Sequence, residues 1–577
     1  MAIDRITVSV IQHRLESIVQ EMGEAMLRTA YSQILNSSRD FSTAVFDGQG
    51  RLAAQAEHVP IHVGALPWAV ASVADFFKGR IAPGDLFLLN DPYHGNNHLP
   101  DLTVLLPVFV GGRPVFWSIN RAHQHDIGGA THGAYNPGAT EIWQEGIRIT
   151  PLKLYDRGEL RDDVLQMVAT NVRHPRDFQG DLRAMMGSAR IGERRLLKLV
   201  DDYGLDIVLE TIGEILDGAE RQSRECIRGW KDGVFKGEAI LDDDGHGVSD
   251  VHIRATVTKK GDSLTVDLSD SHRQVTGFIN SAYPNTMSAV HMALAYLIDP
   301  RTPKNEGTFR PVTVKAKEGT VVWPYPPAPV TLSTNHCAQE IAEAMIKALA
   351  KSCPDRVLAG WSRRFRIAIS GTNPRNKRKF IWHLFHARGG GGASSAGDGW
   401  ETAGEGQAAG GIKFGSVEVA ETRFPLFFKR HEFRPDSAGD GRFRGGVGSV
   451  LAAHGDDRAR ARQHRGRRGA LPGLRRAGRQ GRAAPSLPDD RARPDARAQD
   501  EGGGRADPAG CDVPGGVDGG RRLRPARPAL LRGARGGPGQ RLRLRPPAAR
   551  EGLRCCGSAS TWAGPSPIWW GWTTRAA

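Results

Sequence analysis

The stretch Asn90-Asp91-Pro92-Tyr93-His94-Gly95-Asn96-Asn97-His98-Leu99-Pro100-Asp101, followed by Arg121-Ala122-His123-Gln124-His125-Asp126, decides how this chain is read. Between the two segments lies a hairpin pattern. A mostly apolar run extends from Leu102 to Val110, turns at Gly111-Gly112, and returns as an apolar run from Val115 to Ile119 after Arg113 and Pro114. A two-residue glycine turn is a strong hairpin signal, because both positions need positive φ. Pairing across it places Asp101 opposite Ala122, one residue from His123. The hairpin therefore gathers His98, Asp101 and His123 at one end of a rigid two-stranded element. Two imidazoles and a carboxylate converging there can hold a divalent metal and leave positions open for water or substrate.

The plainer alternative is a polar loop whose histidines cap backbone groups. A lone histidine would favour it. Here His58, His62, His94, His98 and His123 all fall near one strand end, with His125 and Asp126 beside them. Asp40, just before a strand at 41–46, is a further candidate ligand. The resulting set of two nitrogens and two oxygens suits zinc, manganese or ferrous iron, with zinc and manganese favoured. Residues at i and i+2 share a face of an extended chain, so His125 could point the same way as His123. The pairing nonetheless places it beyond Asp101. His125 and Asp126 are therefore expected to orient the ligands or touch substrate, as the catalytic pair.

At 577 residues the chain is long enough for several domains. Its formal charge of +15 would ordinarily suggest a nucleic-acid or anionic-surface partner. The charge is not evenly spread. Residues 452–577 hold 26 Arg, no Lys and 11 acidic residues, whereas residues 1–451 balance 52 basic against 52 acidic side chains. That tail lacks Asn, Phe, Tyr and Met, and Gly, Ala, Arg and Pro make up 83 of its 126 residues. A GC-rich gene translated out of frame looks this way; an Arg-rich disordered arm that binds nucleic acid is the alternative. The neutral body speaks against nucleic acid.

Cys226, Cys337 and Cys353, the three cysteines before the tail, are widely spaced and form no C-x-x-C, against a disulfide framework or a thiolate zinc site. No apolar leader follows Asp4 and Arg5, and no run reaches the length of a membrane span, so a soluble cytoplasmic protein is expected.

Ile11, Leu15, Ile18, Val19, Met22 and Met26 recur at helical spacing, which predicts one long amphipathic helix over 4–31. A hairpin is expected around Asp47-Gly48-Gln49-Gly50, a helix over 66–77, and a strand from Asp85 to Leu89. Helices should dominate 158–229, with Arg190, Arg194, Arg195 and Lys198 on a solvated face. Beyond Gly229 the pattern turns to strands over 234–268, then helices at 284–298 and 338–351, and a strand over 416–434. The glycines at 389–392, 397 and 399 read as a flexible loop rather than a Walker motif, since no Lys-Ser/Thr follows. Asn335-His336-Cys337 lacks an orienting third group, so Cys337 is expected to be a small core residue. No G-x-G-x-x-G follows a strand, against a dinucleotide site. The fold class expected is α+β, mixed and multi-layered. An N-terminal α/β metal-site domain would cover 1–230, a β-rich mixed domain 231–451, and the anomalous tail 452–577.

Arg39-Asp40-Phe41-Ser42, Asn90-Asp91-Pro92, His98-Leu99-Pro100-Asp101, His125-Asp126-Ile127-Gly128-Gly129 and Glu145-Gly146-Ile147-Arg148-Ile149 resemble the hydantoinase B/5-oxoprolinase family. Gly415-Ser416-Val417-Glu418 and the run from Arg434 to Gly446 are similar to that family's C-terminal half, and the likeness fades near Leu451. The resemblance implies an enzyme subunit that works with a hydantoinase A-type, ATP-binding partner. Such enzymes open cyclic amides such as hydantoins, 5-oxoproline or lactams, or carboxylate ketones. It also implies that His98, Asp101 and His123 are metal ligands, with Asp40 joining them in some members. ATP would be used on the partner to activate the carbonyl, and the metal here would activate water.

Overall fold

The computed structural model describes residues 3–363, 367–408, 411–455 and 462–463. The reading of 452–577 as an out-of-frame or disordered tail therefore lies, apart from 452–455 and 462–463, outside the described residues. These all belong to one compact unit, Met1–Val513.

The helices are α1 (Arg5–Thr29), α2 (Gln33–Asn36), α3 (Pro60–Val63), α4 (Leu66–Phe76), α5 (Asp162–Thr170), α6 (Pro175–Tyr203), α7 (Leu205–Arg228), α8 (Tyr283–Leu297), α9 (Glu306–Phe309), α10 (Ala338–Leu349) and α11 (Val417–Arg423). The first sheet has seven strands: β1 (Phe41–Asp47), β2 (Leu52–Glu57), β3 (Leu86–Leu89), β4 (Asp101–Val110), β5 (Arg113–His123), β6 (Leu152–Asp156) and β7 (Glu159–Leu160). Their order is β2-β1-β5-β4-β3-β6-β7. Every pairing in it is antiparallel.

Alternation along the strands sends side chains into two apolar layers. Phe41, Val45, Val104 and Phe116 face the layer that holds α1 and α6. Phe46, Phe87, Leu105, Trp117 and Ile119 face α4 through Leu66, Ala69, Val70 and Val73. The central strands are thus buried on both faces, and a rigid platform results. Helix α1 is capped by Asp4, whose carboxylate accepts from the Ile6 and Thr7 amides. It buries Ile11, Leu15, Ile18, Val19, Met22 and Met26 as the periodicity predicts. Each such side chain contributes about 1.5–3 kcal/mol when fully buried. Arg190, Arg194, Arg195 and Lys198 are exposed on α6, also as predicted.

A second sheet comprises β8 (Gly233–Asp243), β9 (Ser249–Lys260), β10 (Ser263–Asp267) and β11 (Val312–Lys315), in the order β11-β10-β9-β8. It packs against α10, whose apolar face is buried. The change of character near Gly229 is a change of elements, since α7 ends at Arg228 and β8 begins at Gly233. One apolar cluster runs across that point, from Ile11 to Ile412. The C-terminal strands are β12 (Ala368–Thr372), β13 (Lys379–His383), β14 (Leu426–Phe433), β15 (Ser449–Gly455) and β16 (Arg462–Gln463).

Two local expectations need correction. Residues 416–434 are not one strand: Ser416 caps α11 by accepting from the Val419 amide, and β14 starts only at Leu426. The glycines at 389–399 do not form a loose loop either. They let two backbone segments touch, with Gly391 N–H bonded to Trp400 O at 2.9 Å, Gly446 N–H to Gly391 O at 2.9 Å and Gly399 N–H to Arg444 O at 2.8 Å. A Cβ added at Gly390 would lie 1.8 Å from Gly446 O, whereas one at Gly397 would meet nothing within 4 Å. Gly390→Ala is therefore expected to cost about 1–3 kcal/mol of stability, read as a lowered thermal midpoint, while Gly397→Ala leaves it unchanged.

Candidate metal centre

The hairpin forms as its sequence predicts, with Gly111 and Gly112 at φ of 58° and 78°. Its register differs by one residue. Val110 pairs with Arg113 and Phe109 with Pro114, but a bulge between Val108 and Phe109 shifts the ladder, so that Asp101 lies opposite His123 itself rather than Ala122. A bulge adds one residue to one strand and re-aims the side chains beyond it. Strand β1 flanks the other edge of β5, pairing Phe41 with Ala122, and the Asp40 carbonyl accepts from the His123 amide at 3.0 Å.

His98 Nε2 and His123 Nδ1 each lie 2.9 Å from the same atom, Asp101 Oδ1. All three residues are buried. Two ligands held about 2.0–2.1 Å from a tetrahedral ion stand roughly 3.3 Å apart, so the spacing is close to what a small divalent ion needs. The second Asp101 oxygen, Oδ2, has no hydrogen-bond partner among the described residues. A buried carboxylate oxygen without a donor is costly, and a cation removes that cost. Burial alone would raise the Asp101 carboxyl, but His98 and His62 outweigh it and, with the imidazole hydrogen bonds, hold it well below the usual carboxylate range.

The loop 90–101 is held by its asparagines. Asn90 donates to Leu99 O at 2.8 Å and to Ile147 O at 3.0 Å, and accepts from the Ile149 amide. Asn96 donates to Asn90 O at 2.8 Å and to the carbonyls of His98 and Asp101. His98 Nδ1 donates to Thr331 O at 2.6 Å, which turns Nε2 toward Asp101. Tyr135 stacks on His123 with ring centroids 5.8 Å apart.

Asp40 lines the same small cavity as His62, His98 and His123, but its carboxylate is not among the three ligand groups that gather within 4.8 Å of one another. His62 stands between the carboxylates, its Nε2 3.6 Å from Asp40 Oδ1 and 3.4 Å from Asp101 Oδ2. Burial lowers its pKa despite both carboxylates. Sequence reasoning counted His62 among the histidines near the strand end but not as the one between the carboxylates, and it did not place Arg121 at the site. Arg121 is fully buried and donates to Thr103 Oγ1 at 2.8 Å, to the His62 and Gly95 carbonyls, and to Asn97 Oδ1. A charged residue inside an apolar strand was the available signal. His58 and His94 are elsewhere: His58 packs on Phe41, and His94 pairs with Asp91 at 2.7 Å.

His125 and Asp126 part company. Asp126 Oδ1 accepts from Arg173 Nη1 at 2.9 Å, and its Oδ2 accepts from the Arg173 and Gly128 amides. That carboxylate braces the loop after β5 and does not join the ligand cluster. His125 lies instead beside His174 and Asp177 at the start of α6. Burial and the neighbouring His174 bring its pKa down to about 4.

Glu145 braces the site from behind. It accepts from the amides of Val330 at 2.9 Å and Thr331 at 2.8 Å, fixing the segment whose carbonyl orients His98. Burial pushes its carboxyl up to about 8, against the pull of those amides. A carboxyl raised from about 4.5 to about 8 binds its proton more tightly folded than unfolded. Its contribution to stability is thus complete below about pH 4.5 and is lost as pH rises toward 8. Glu145→Gln should flatten the decline in unfolding free energy between pH 5 and 8. Identical pH profiles for both proteins would contradict this.

Residues 4–501 match the family model described as Hydantoinase B/oxoprolinase, a match that runs past Leu451, where the motif resemblance fades. The beta subunit of caprolactamase from Pseudomonas jessenii is 38% identical over 452 residues, 78% of each chain. The crystal structure of ATP-dependent caprolactamase from Pseudomonas jessenii superposes with a TM-score of 0.75 at 37% identity, covering 79% of each chain. This agrees with the α+β expectation. Acetone carboxylase superposes with a TM-score of 0.72 over 78% of this chain and 62% of that one, at 20% identity, a likeness of fold alone. Among the described residues no helix is long and apolar enough to cross a membrane.

Proposed function

The chain belongs to the hydantoinase B/oxoprolinase family, and we propose that it is the metal-bearing subunit of an ATP-dependent cyclic-amide hydrolase. The observation that carries this is the convergence of His98 Nε2 and His123 Nδ1 on one buried Asp101 oxygen, in a chain 38% identical to a caprolactamase subunit. His98, Asp101 and His123 hold a divalent ion, zinc or manganese, and Asp40 completes the set with His62 between the two carboxylates. Bound there, the ion supplies Lewis acidity sufficient to bring the pKa of a water toward neutrality.

The chain's own residues do the rest. Thr331 O fixes the proton of His98 on Nδ1 and leaves Nε2 as donor to the ion. Arg121 holds α3, and with it His62, against the sheet through the His62 carbonyl. Asp126 clamps Arg173 and keeps the loop carrying His125 in place. An unstrained amide is a poor electrophile, so the carbonyl oxygen is first phosphorylated by ATP on an A-type partner subunit. Water then adds at the carbonyl carbon and the ring C–N bond breaks, which frees the amine and leaves an acyl phosphate; a second water cleaves the acyl phosphate, so that the products are the open amino acid, ADP and phosphate.

Metal analysis of protein co-expressed with its partner, joined to a screen of lactams, hydantoins, 5-oxoproline and ketones with ATP, tests the reading. Ring opening coupled to ATP consumption supports it; ATP-dependent carboxylation of a ketone alone would replace it with the acetone carboxylase type of chemistry, which the shared fold makes the second reading.

A further inference from the structure

A second cluster of the same composition lies beyond the hairpin end. Ligand atoms of His125, His174 and Asp177 all fall within 4.8 Å of one another. His125 is 5% exposed, and neither of its ring nitrogens has a hydrogen-bond partner among the described residues. Two orphaned polar atoms on one buried ring are rare in native proteins and carry a desolvation cost unless something else meets them. The ring is held in place all the same. The His125 carbonyl accepts from His383 Nε2 at 3.1 Å, and the His174 ring meets it edge-on with centroids 5.2 Å apart.

We propose that His125, His174 and Asp177 bind a second divalent metal ion, of the borderline class that imidazole and carboxylate share, zinc or ferrous iron. The three come from two elements. His125 follows the end of β5, while His174 occupies the N-cap position of α6, its side chain making no capping bond, and Asp177 lies in the first turn. An ion there ties the start of α6 to the strand that carries His123. The nearby charges favour a cation over an anion. Arg173 is already committed to Asp126 and to the carbonyls of Gly128 and Gly129, leaving Lys379 as the other cationic group that acts on His174. Against it stands the Asp177 carboxylate, within reach of both imidazoles. The positive end of the α6 dipole opposes a cation, and Asp177 offsets it. His174 and Asp177 are only half-buried, which leaves a route for the ion and open coordination positions.

The test uses the full chain co-expressed with its partner, stripped with a chelator and titrated with Zn2+, with bound metal measured after gel filtration. Wild type should take up two equivalents per chain. His174→Ala and Asp177→Asn should each retain one equivalent and bind the other at least tenfold more weakly. His98→Ala should lose the opposite one. The Zn2+-induced rise in thermal midpoint should shrink in Asp177→Asn, whose shape is conserved. Wild-type uptake of a single equivalent, or unchanged uptake in Asp177→Asn, overturns the second site while leaving the His98 centre standing.

Discussion

His98→Ala and His123→Ala are each expected to emerge from purification without the metal of the hairpin site and without measurable ring opening. Each removes one of the two imidazoles that meet at Asp101 Oδ1. Even residues that only orient ligands change metal affinity by about 10–100-fold, so loss of a ligand should exceed that. Losing several kcal/mol of Lewis-acid stabilisation corresponds to about a thousandfold or more in rate. Asp40→Ala should be milder, since Asp40 reaches the cluster through His62. Far-UV circular dichroism should match wild type in all three, because α1, α6 and α7 lie outside the site. Full metal occupancy in both histidine variants would remove the assignment.

The second large effect concerns the partner. Purified alone, the chain is expected to bind metal yet show no ATP-dependent ring opening, and addition of an A-type subunit should restore turnover from zero. The amide carbonyl needs phosphoryl activation, and the glycine segment 389–399 is spent on backbone contacts with 439–448 rather than on cradling phosphate. Steady ATP-coupled turnover by this chain alone would refute it.

Much of this was legible in one dimension. The glycine pair at 111–112, the apolar runs beside it and the spacing of His98, Asp101 and His123 are local properties, and they determined that a hairpin would bring those three side chains together. The helical period of Ile11 to Met26 determined α1, since side-chain periodicity needs no knowledge of the partner surface. Tertiary structure decided what local pattern cannot encode. A bulge between Val108 and Phe109, which adds one residue to one strand and re-aims every pair beyond it, moved Asp101 from Ala122 to His123. His62 reached the two carboxylates only because α3 docks beside β1. Thr331 and Glu145, distant in sequence from the ligands, came to orient His98 through contacts between remote segments. The same long-range packing separated His125 from Asp126, giving one to His174 and Asp177 and the other to Arg173. The strand ends at His123 and the chain bends at His125, so no strand period fixes where these two side chains point, and only the neighbours on each side decide what each of them does.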